Sequence, residues 1–151
     1  MKIVEATLEQ LSDAASLFEQ YRMFYKQEPN PSAAEKFIKE RLLNKDSDIF
    51  LGYRDDVCLG FMQIYRCWDS ISMKKLVFLY DLFVVPEARK HGIAEELINR
   101  AKKLAKDIEA SMIMLQTHDK RSNPAIPVYE HNGFEKDTEF IVYNYVLKES
   151  D

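Results

Sequence analysis

The sequence predicts an α+β fold, a mixed sheet flanked by helices, organised around the stretch Leu79–Arg100. Three observations carry that reading. Val77 to Val85 is an apolar run broken only by Tyr80 and Asp81, as a strand buried on both faces requires. Pro86 stops it, having no N–H for a ladder, and the basic loop Arg89-Lys90-His91-Gly92 follows. Ile93, Ala94, Leu97, Ile98, Ala101, Leu104 and Ala105 then recur at helical spacing up to about Ile108. Ser111–Thr117 reads as the next strand, and a crossover of this length makes the two strands parallel. Strand, glycine loop and helix aim unpaired main-chain N–H groups at one point beyond the strand, where the positive end of the helix favours phosphate.

The other elements follow in chain order. Lys2–Ala6 is a short strand. Thr7 with Gln10 forms a capping box and opens a helix whose apolar stripe is Leu8, Leu11, Ala14, Ala15, Phe18, Tyr21 and Tyr25. Glu28-Pro29-Asn30-Pro31 forces a turn, and Ser32 with Glu35 reads as a second capping box, opening a helix to about Asn44 that buries Phe37, Ile38 and Leu42. Asp48–Arg54 and Val57–Arg66 are strands joined by a tight turn at Asp55-Asp56, with Gly60 marking a bulge. Cys67–Lys75 reads as a polar loop. Pro124–Asn132 is a short helix stopped at Asn132-Gly133. From Phe134 the chain returns as strands, with Ile141, Tyr143, Tyr145 and Leu147 alternating with Val142, Asn144 and Val146, before a frayed tail at Lys148–Asp151.

Composition narrows the function. At 151 residues, 46% hydrophobic and 30% charged, the chain is expected to form one globular domain, 1–151, with a real core. No apolar run approaches the roughly 20 residues that span a bilayer. The opening MKIVEATLEQ has no signal-peptide character, so a cytoplasmic location is expected and no membrane partner. A net charge of −4 with mixed signs argues against nucleic acid as partner. Cys58 and Cys67 make neither a disulfide framework nor a metal site, and His91, His118 and His131 share no ligand spacing, so no metal is expected. No G-x-S-x-G elbow supports a serine hydrolase.

The loop reads Arg89-x-x-Gly92-x-Ala94. It is not a Walker loop, since no Lys-Ser or Lys-Thr follows Gly92, and GxGxxG is absent. Between its strand and its helix it closely resembles the acetyl-CoA-binding motif of the GNAT N-acetyltransferases: Arg or Gln, two residues, Gly, one residue, Gly or Ala. The block Asn123 to Phe134 resembles the family's later motif, in which an Ala precedes a Tyr by four residues and a Gly-Phe pair closes the helix. The resemblance spans nearly the whole chain, most strongly Cys58 to Phe134. It implies a small bacterial-type enzyme with a mixed central sheet of about six to seven strands and about four helices. It implies acetyl-CoA as cosubstrate, a small-molecule or protein amine as acceptor, and a possible homodimer.

On this resemblance, main-chain groups of Leu82, Phe83, Val84 and Val85 hold the pantetheine arm and polarise the thioester carbonyl, while Arg89, Lys90, His91, Gly92, Ile93 and Ala94 hold the pyrophosphate. The first two helices wall the acceptor, which makes Tyr21, Arg22, Phe24 and Tyr25 either pocket-lining residues or plain core aromatics. Trp68 is either an aromatic wall for a cation or a packing residue. Neutralising a lysine-like amine at pH 7 costs about 4–5 kcal/mol, so a base is needed. Some GNAT enzymes place a Glu just before the Asp of the central strand; Tyr80 stands there in this sequence, at the acceptor, and leaves Asp81 as either the base or a structural carboxylate. Tyr129 matches the general acid that protonates the leaving thiolate. The CoA-contacting Asn falls to Asn123, one residue late, with Ser122 at the usual position. The alternative reading is a catalytically silent acyl-CoA-binding or regulatory module of the same fold.

Overall fold

The computed structural model describes residues 1–149 and forms two compact units, Met1–His118 and Asp119–Asp151. The first contains a five-stranded sheet in the order β1-β2-β3-β4-β5: β1 Lys2–Glu5, β2 Asp48–Arg54, β3 Val57–Asp69, β4 Lys74–Val84 and β5 Ile113–Met114. The pairs β1–β2, β2–β3 and β3–β4 are antiparallel and β4–β5 is parallel, as the long crossover requires. Three helices belong to this unit: α1 Leu11–Phe24, α2 Pro31–Asn44 and α3 Ile93–Asp107.

The sheet has five strands among the described residues rather than six to seven. β5 is shorter than the expected Ser111–Thr117, and Phe140–Leu147, expected as strand, joins no ladder there. Cys67 and Trp68 are not loop residues. They pair with Leu76 and Lys75, because β3 and β4 run on as a long hairpin whose turn is confined to residues 70–73. The second helix is capped by Asn30 rather than Ser32: the Asn30 side chain accepts from the Ala33 N–H at 3.1 Å, and Pro31 takes the first helical position, where its missing N–H costs nothing. The Thr7–Gln10 box forms as expected, heading a 3-10 turn that leads into α1. Asp55 and Asp56 both take positive φ, 48° and 62°, the geometry of a two-residue hairpin turn matched to strand twist.

Phe61 meets Phe18 of α1, so that face of the sheet belongs to α1 and α2. The opposite face belongs to α3, which buries Ile93, Leu97, Ile98, Ala101 and Leu104. Gly60 explains how closely α3 approaches: a Cβ there would lie 2.6 Å from Ile93 Cγ2 and 3.0 Å from Leu97 Cδ1. The register slips by one residue at this end of β3, where Gly52 faces Gly60 but Tyr53 faces Cys58, so the bulge expected at Gly60 falls beside it at Leu59. The first turn of α3 is thereby pressed against the sheet, and its N-terminus is fixed.

The second unit contains α4, Ala125–His131, closed as expected by Gly133 at φ 87°. Ser150 and Asp151 of the expected tail lie outside the described residues.

Candidate active site

β4 carries two irregularities that build a site. The first is its outer edge. β5 pairs with β4 only at Val77 and Phe78, so from Leu79 onward β4 has no ladder partner on that side among the described residues. Main-chain polar groups alternate along a strand, and Val85 N–H donates to Leu59 O of β3 at 3.0 Å. Phe83 and Val85 therefore turn their amides inward to β3. Leu82 and Val84 turn theirs to the open edge. Of Leu82, Phe83, Val84 and Val85, the register thus leaves only the Leu82 and Val84 amides facing the open edge.

The edge leads straight into the loop. Val85 passes into a 3-10 turn, Pro86–Ala88, then Lys90 and Gly92 take left-handed conformations at φ 64° and 83°. Gly92 is the N-cap of α3 and offers no side chain to it; the first intrahelical bond runs from Glu96 N–H to Gly92 O. The N–H groups of Ile93, Ala94 and Glu95 lie ahead of that bond, at the positive end of a 15-residue helix. A Cβ on Gly92 would meet nothing within 4 Å, so the space beside these donors is open. Arg54 Nη2 donates to His91 O at 3.0 Å, and the His91 ring bonds Arg89 O at 2.7 Å, which pins the loop. Arg89 itself turns back along the strand: its Nε donates to Val84 O at 2.9 Å, and its guanidinium lies over the rings of Phe24 and Phe83. Its charge is applied beside the strand edge, while Lys90 and His91 are exposed in the loop.

The second irregularity is a bulge. Ile64 faces Leu79 and Gln63 faces Asp81, leaving Tyr80 as the extra residue. Strict alternation would put Tyr80 and Asp81 on opposite faces. The bulge puts both on the α1 face. Tyr80 is 58% exposed, and its ring packs edge-on against Tyr65 and beside Phe78. Asp81 is only 5% exposed; Gln63 Nε2 donates to its Oδ2 at 2.8 Å, and the Tyr21 hydroxyl donates to the same carboxylate. Gln63 is held in turn by Ser47 Oγ, which donates to its Oε1 at 2.8 Å. Burial raises the Asp81 pKa above the ordinary carboxylate range, against the opposing pull of the Gln63 and Tyr21 hydrogen bonds. Burial and the nearby Asp81 charge push the Tyr65 phenol up to about 12.

Tyr21, Phe24 and Tyr25 gather at the end of α1: Tyr21 and Phe24 pack on Phe83, at 6.2 and 6.3 Å between centroids, and Tyr25 lies 6.0 Å from the His118 ring. With Tyr80 and Asp81 they make one continuous surface beside β4. Trp68 does not join it. It pairs with Lys75, five residues beyond Gln63 and roughly 17 Å along the strand at about 3.4 Å per residue, and its ring neighbour is the Lys75 ammonium. The sequence reading missed Gln63, Ser47, Tyr65 and Phe78. A lone Gln inside the apolar run Phe61-Met62-Gln63-Ile64 was the available signal, since a buried amide needs a partner. No cluster of His, Cys, Asp and Glu able to hold a metal occurs among the described residues.

In the second unit, Asn123 makes a side-chain turn just ahead of α4, whose N-cap is Pro124: its Oδ1 accepts from the Ala125 N–H at 3.0 Å. Tyr129 is half-buried on α4, packs edge-on against Phe134 at 5.8 Å, and accepts the Phe134 N–H on its carbonyl. The Gly-Phe pair thus closes the helix that carries Tyr129.

A model of the acetyltransferase (GNAT) family matches residues 14–134, which include both irregularities of β4, the loop and α4. The chain belongs to the GNAT acetyltransferase family. It is 40% identical over 143 residues to a Bacillus subtilis (strain 168) protein named uncharacterized N-acetyltransferase YhfO, with 95% of each chain covered. A crystal structure of a probable acetyltransferase is 38% identical, with a TM-score of 0.92 over 99% of both chains. A Clostridium acetobutylicum structure, named a predicted acetyltransferase with acetyl-CoA, shares the fold at 18% identity, with a TM-score of 0.74 over 95% of both chains. The GNAT acetyltransferase is thus an acetyl-transferring enzyme with the α+β fold expected from its sequence, and acetyl-CoA is the family's acetyl donor. Its unpaired strand edge and uncapped helix suit a ligand that presents an extended amide arm followed by a diphosphate.

Proposed function

We propose that this GNAT acetyltransferase moves the acetyl group of acetyl-CoA to a primary amine, on a polyamine-like small molecule or on a protein, by direct attack. The observation that carries this reading is the continuity of the open β4 edge with the uncapped start of α3. The Val84 amide pairs with the pantetheine arm, and the Leu82 amide bonds the thioester oxygen. As the amine nitrogen adds to the thioester carbon, negative charge grows on that oxygen, and one well-placed donor there can contribute roughly 3 kcal/mol. The N–H groups of the Gly92–Ala94 turn bind the pyrophosphate, with Lys90 and His91 adding charge and polar reach. The C–S bond then breaks, and Tyr129 supplies the proton that the leaving thiolate needs.

The amine must first lose a proton. Asp81 is the base in this reading, reached through water because the carboxylate is buried. A raised pKa makes it a better base than an exposed carboxylate. Tyr80 and Tyr65 offer the amine an aromatic wall while it is still a cation. The Clostridium acetobutylicum neighbour with acetyl-CoA supports the choice of donor.

A thiol-release assay with acetyl-CoA across a panel of polyamines, other small amines and lysine peptides tests the proposal. Turnover is expected on at least one class. Tyr129→Phe is expected to lower kcat by about 10²-fold, within the usual range for a lost general acid, and to leave coenzyme A affinity unchanged. Coenzyme A binding without turnover on any amine would contradict the transfer reading. Full activity in Tyr129→Phe would remove Tyr129 from it.

A further inference from the structure

The strand register carries one polar row across the α1 face of the sheet. Ile49 of β2 faces Gln63 of β3, and Gln63 faces Asp81 of β4. Ser47 lies two residues before Ile49 and is a diagonal neighbour of Gln63 on the same face. Ser47 Oγ donates to Gln63 Oε1, and Gln63 Nε2 donates to Asp81 Oδ2, each at 2.8 Å. The residues either side of Gln63 on this face are Phe61 and Tyr65, and Gln63 itself is 1% exposed. An amide buried among aromatics costs stability unless both its ends are paired, and here both are.

Asp81 joins no ion pair among the described residues. Its charge is held by two neutral donors, the Gln63 amide and the Tyr21 hydroxyl. The titratable groups on this face are Tyr21 from α1, Tyr65 from β3 and Tyr80 from β4. Arg41 and Asp46 act on Tyr65 and pair with each other at 2.7 Å. The Tyr65 phenol, pushed up to about 12, stays protonated at neutral pH. Tyr21 belongs to the aromatic surface beside β4, whereas Gln63 stands within the sheet, screened by Asp81 and its aromatic neighbours.

We propose that Gln63, braced by Ser47, is a positioning residue of the transfer reaction: it holds the Asp81 carboxylate in place and sets how readily that group takes and returns the proton of the amine. The proposal rests on Asp81 being the base. The choice of glutamine follows from what a base must do. A carboxylate only accepts, so Nε2 faces Asp81, and Oε1 faces Ser47, whose hydroxyl donates. When Asp81 takes the proton that leaves the amine through water, it gains an O–H donor. The amide can then turn over, accepting from Asp81 on Oε1 and donating through Nε2 to Ser47 Oγ. Every group in the row keeps a partner in both protonation states, so neither state strands a buried polar atom. A methionine at 63 fills similar space and can serve neither state.

Carbon-13 NMR of the Asp81 side-chain carboxyl in the full chain, assigned by its loss in Asp81→Asn, tests the hold on the carboxylate without any substrate. In Gln63→Met its titration midpoint is expected to move up by about one pH unit, or about tenfold in proton affinity, because the lost donor favoured the charged form. Ser47→Ala, at a half-buried position, is expected to move it in the same direction by less, and keeps the test open should Gln63→Met not fold. The acidic limb of kcat/KM, measured on the best amine of the thiol-release panel, is expected to rise with the midpoint while the high-pH plateau is largely kept. A midpoint unchanged in both variants overturns the proposal. So does a kcat/KM lowered equally at every pH, which marks a merely structural residue. A midpoint that moves while the limb stays put also overturns it, and places the failure in the choice of Asp81 as base.

Discussion

Asp81 is where two local forces meet. Burial favours its neutral form, while the Gln63 amide and the Tyr21 hydroxyl favour the charged one, and burial prevails. With its folded pKa above the reference of 3.8, Asp81 supports the fold fully at low pH, and that support is lost as pH rises through the raised value. Unfolding free energy measured against pH is therefore expected to fall more steeply above pH 3.8 in the wild type than in Asp81→Asn. The same group should appear in catalysis with the opposite sense, since a base works only when ionised. The acidic limb of the kcat/KM profile is expected above the ordinary carboxylate range and to vanish in Asp81→Asn, with kcat/KM lowered by about 10²-fold at neutral pH. An unchanged limb in that variant assigns the base elsewhere. The residue was legible in the sequence as an interruption of an apolar run. Its partners were not, because nothing in the order of residues announces that Tyr80 is bulged out and that Gln63, eighteen residues earlier, stands opposite.

Among the elements, the loop and α3 were the most legible, because each of their signals is local. Pro86 ends a strand, Gly92 permits a left-handed N-cap, and the apolar stripe of α3 faces the sheet as its spacing required. Gly60 acts on the same helix from a distance. In Gly60→Ala the new methyl would meet Ile93 Cγ2 at 2.6 Å and must displace the first turn of α3. A loss of about 1–3 kcal/mol in unfolding free energy is expected, typical of overpacking, with weaker coenzyme A binding as a consequence. Gly92→Val should behave differently, since a branched residue at φ 83° strains the loop and crowds the open space beside the helix donors. Loss of one charge-assisted bond is expected to weaken coenzyme A by roughly tenfold or more by calorimetry. Unchanged affinity in Gly92→Val would remove the loop from the binding account. Elements fixed by tertiary pairing were read less well. Trp68 was placed in a loop because Cys67–Lys75 looks polar, but cross-strand pairing with Leu76 and Lys75 carries β3 through it. Ser32 has the spacing of a capping box, yet Asn30 wins because Pro31 presets the first helical φ.

For the whole molecule, the fold class and the parallel β4–β5 crossover followed from alternation and periodicity, but the strand count did not. Alternation in Phe140–Leu147 says that the segment can be a strand and is silent on whether it joins the sheet. The cosubstrate account is likewise a statement about the whole unit. β5 pairs with β4 no further than Phe78, α3 is seated by Gly60, and together they leave unpaired donors from Leu82 to Ala94. Hydrogen exchange of single amides with and without acetyl-CoA reads those donors directly. The account predicts that Leu82, Val84, Ile93 and Ala94 gain protection together on binding, while Phe83 and Val85, already turned toward β3, change little. Protection gained at another surface, with these four amides unaltered, would contradict it.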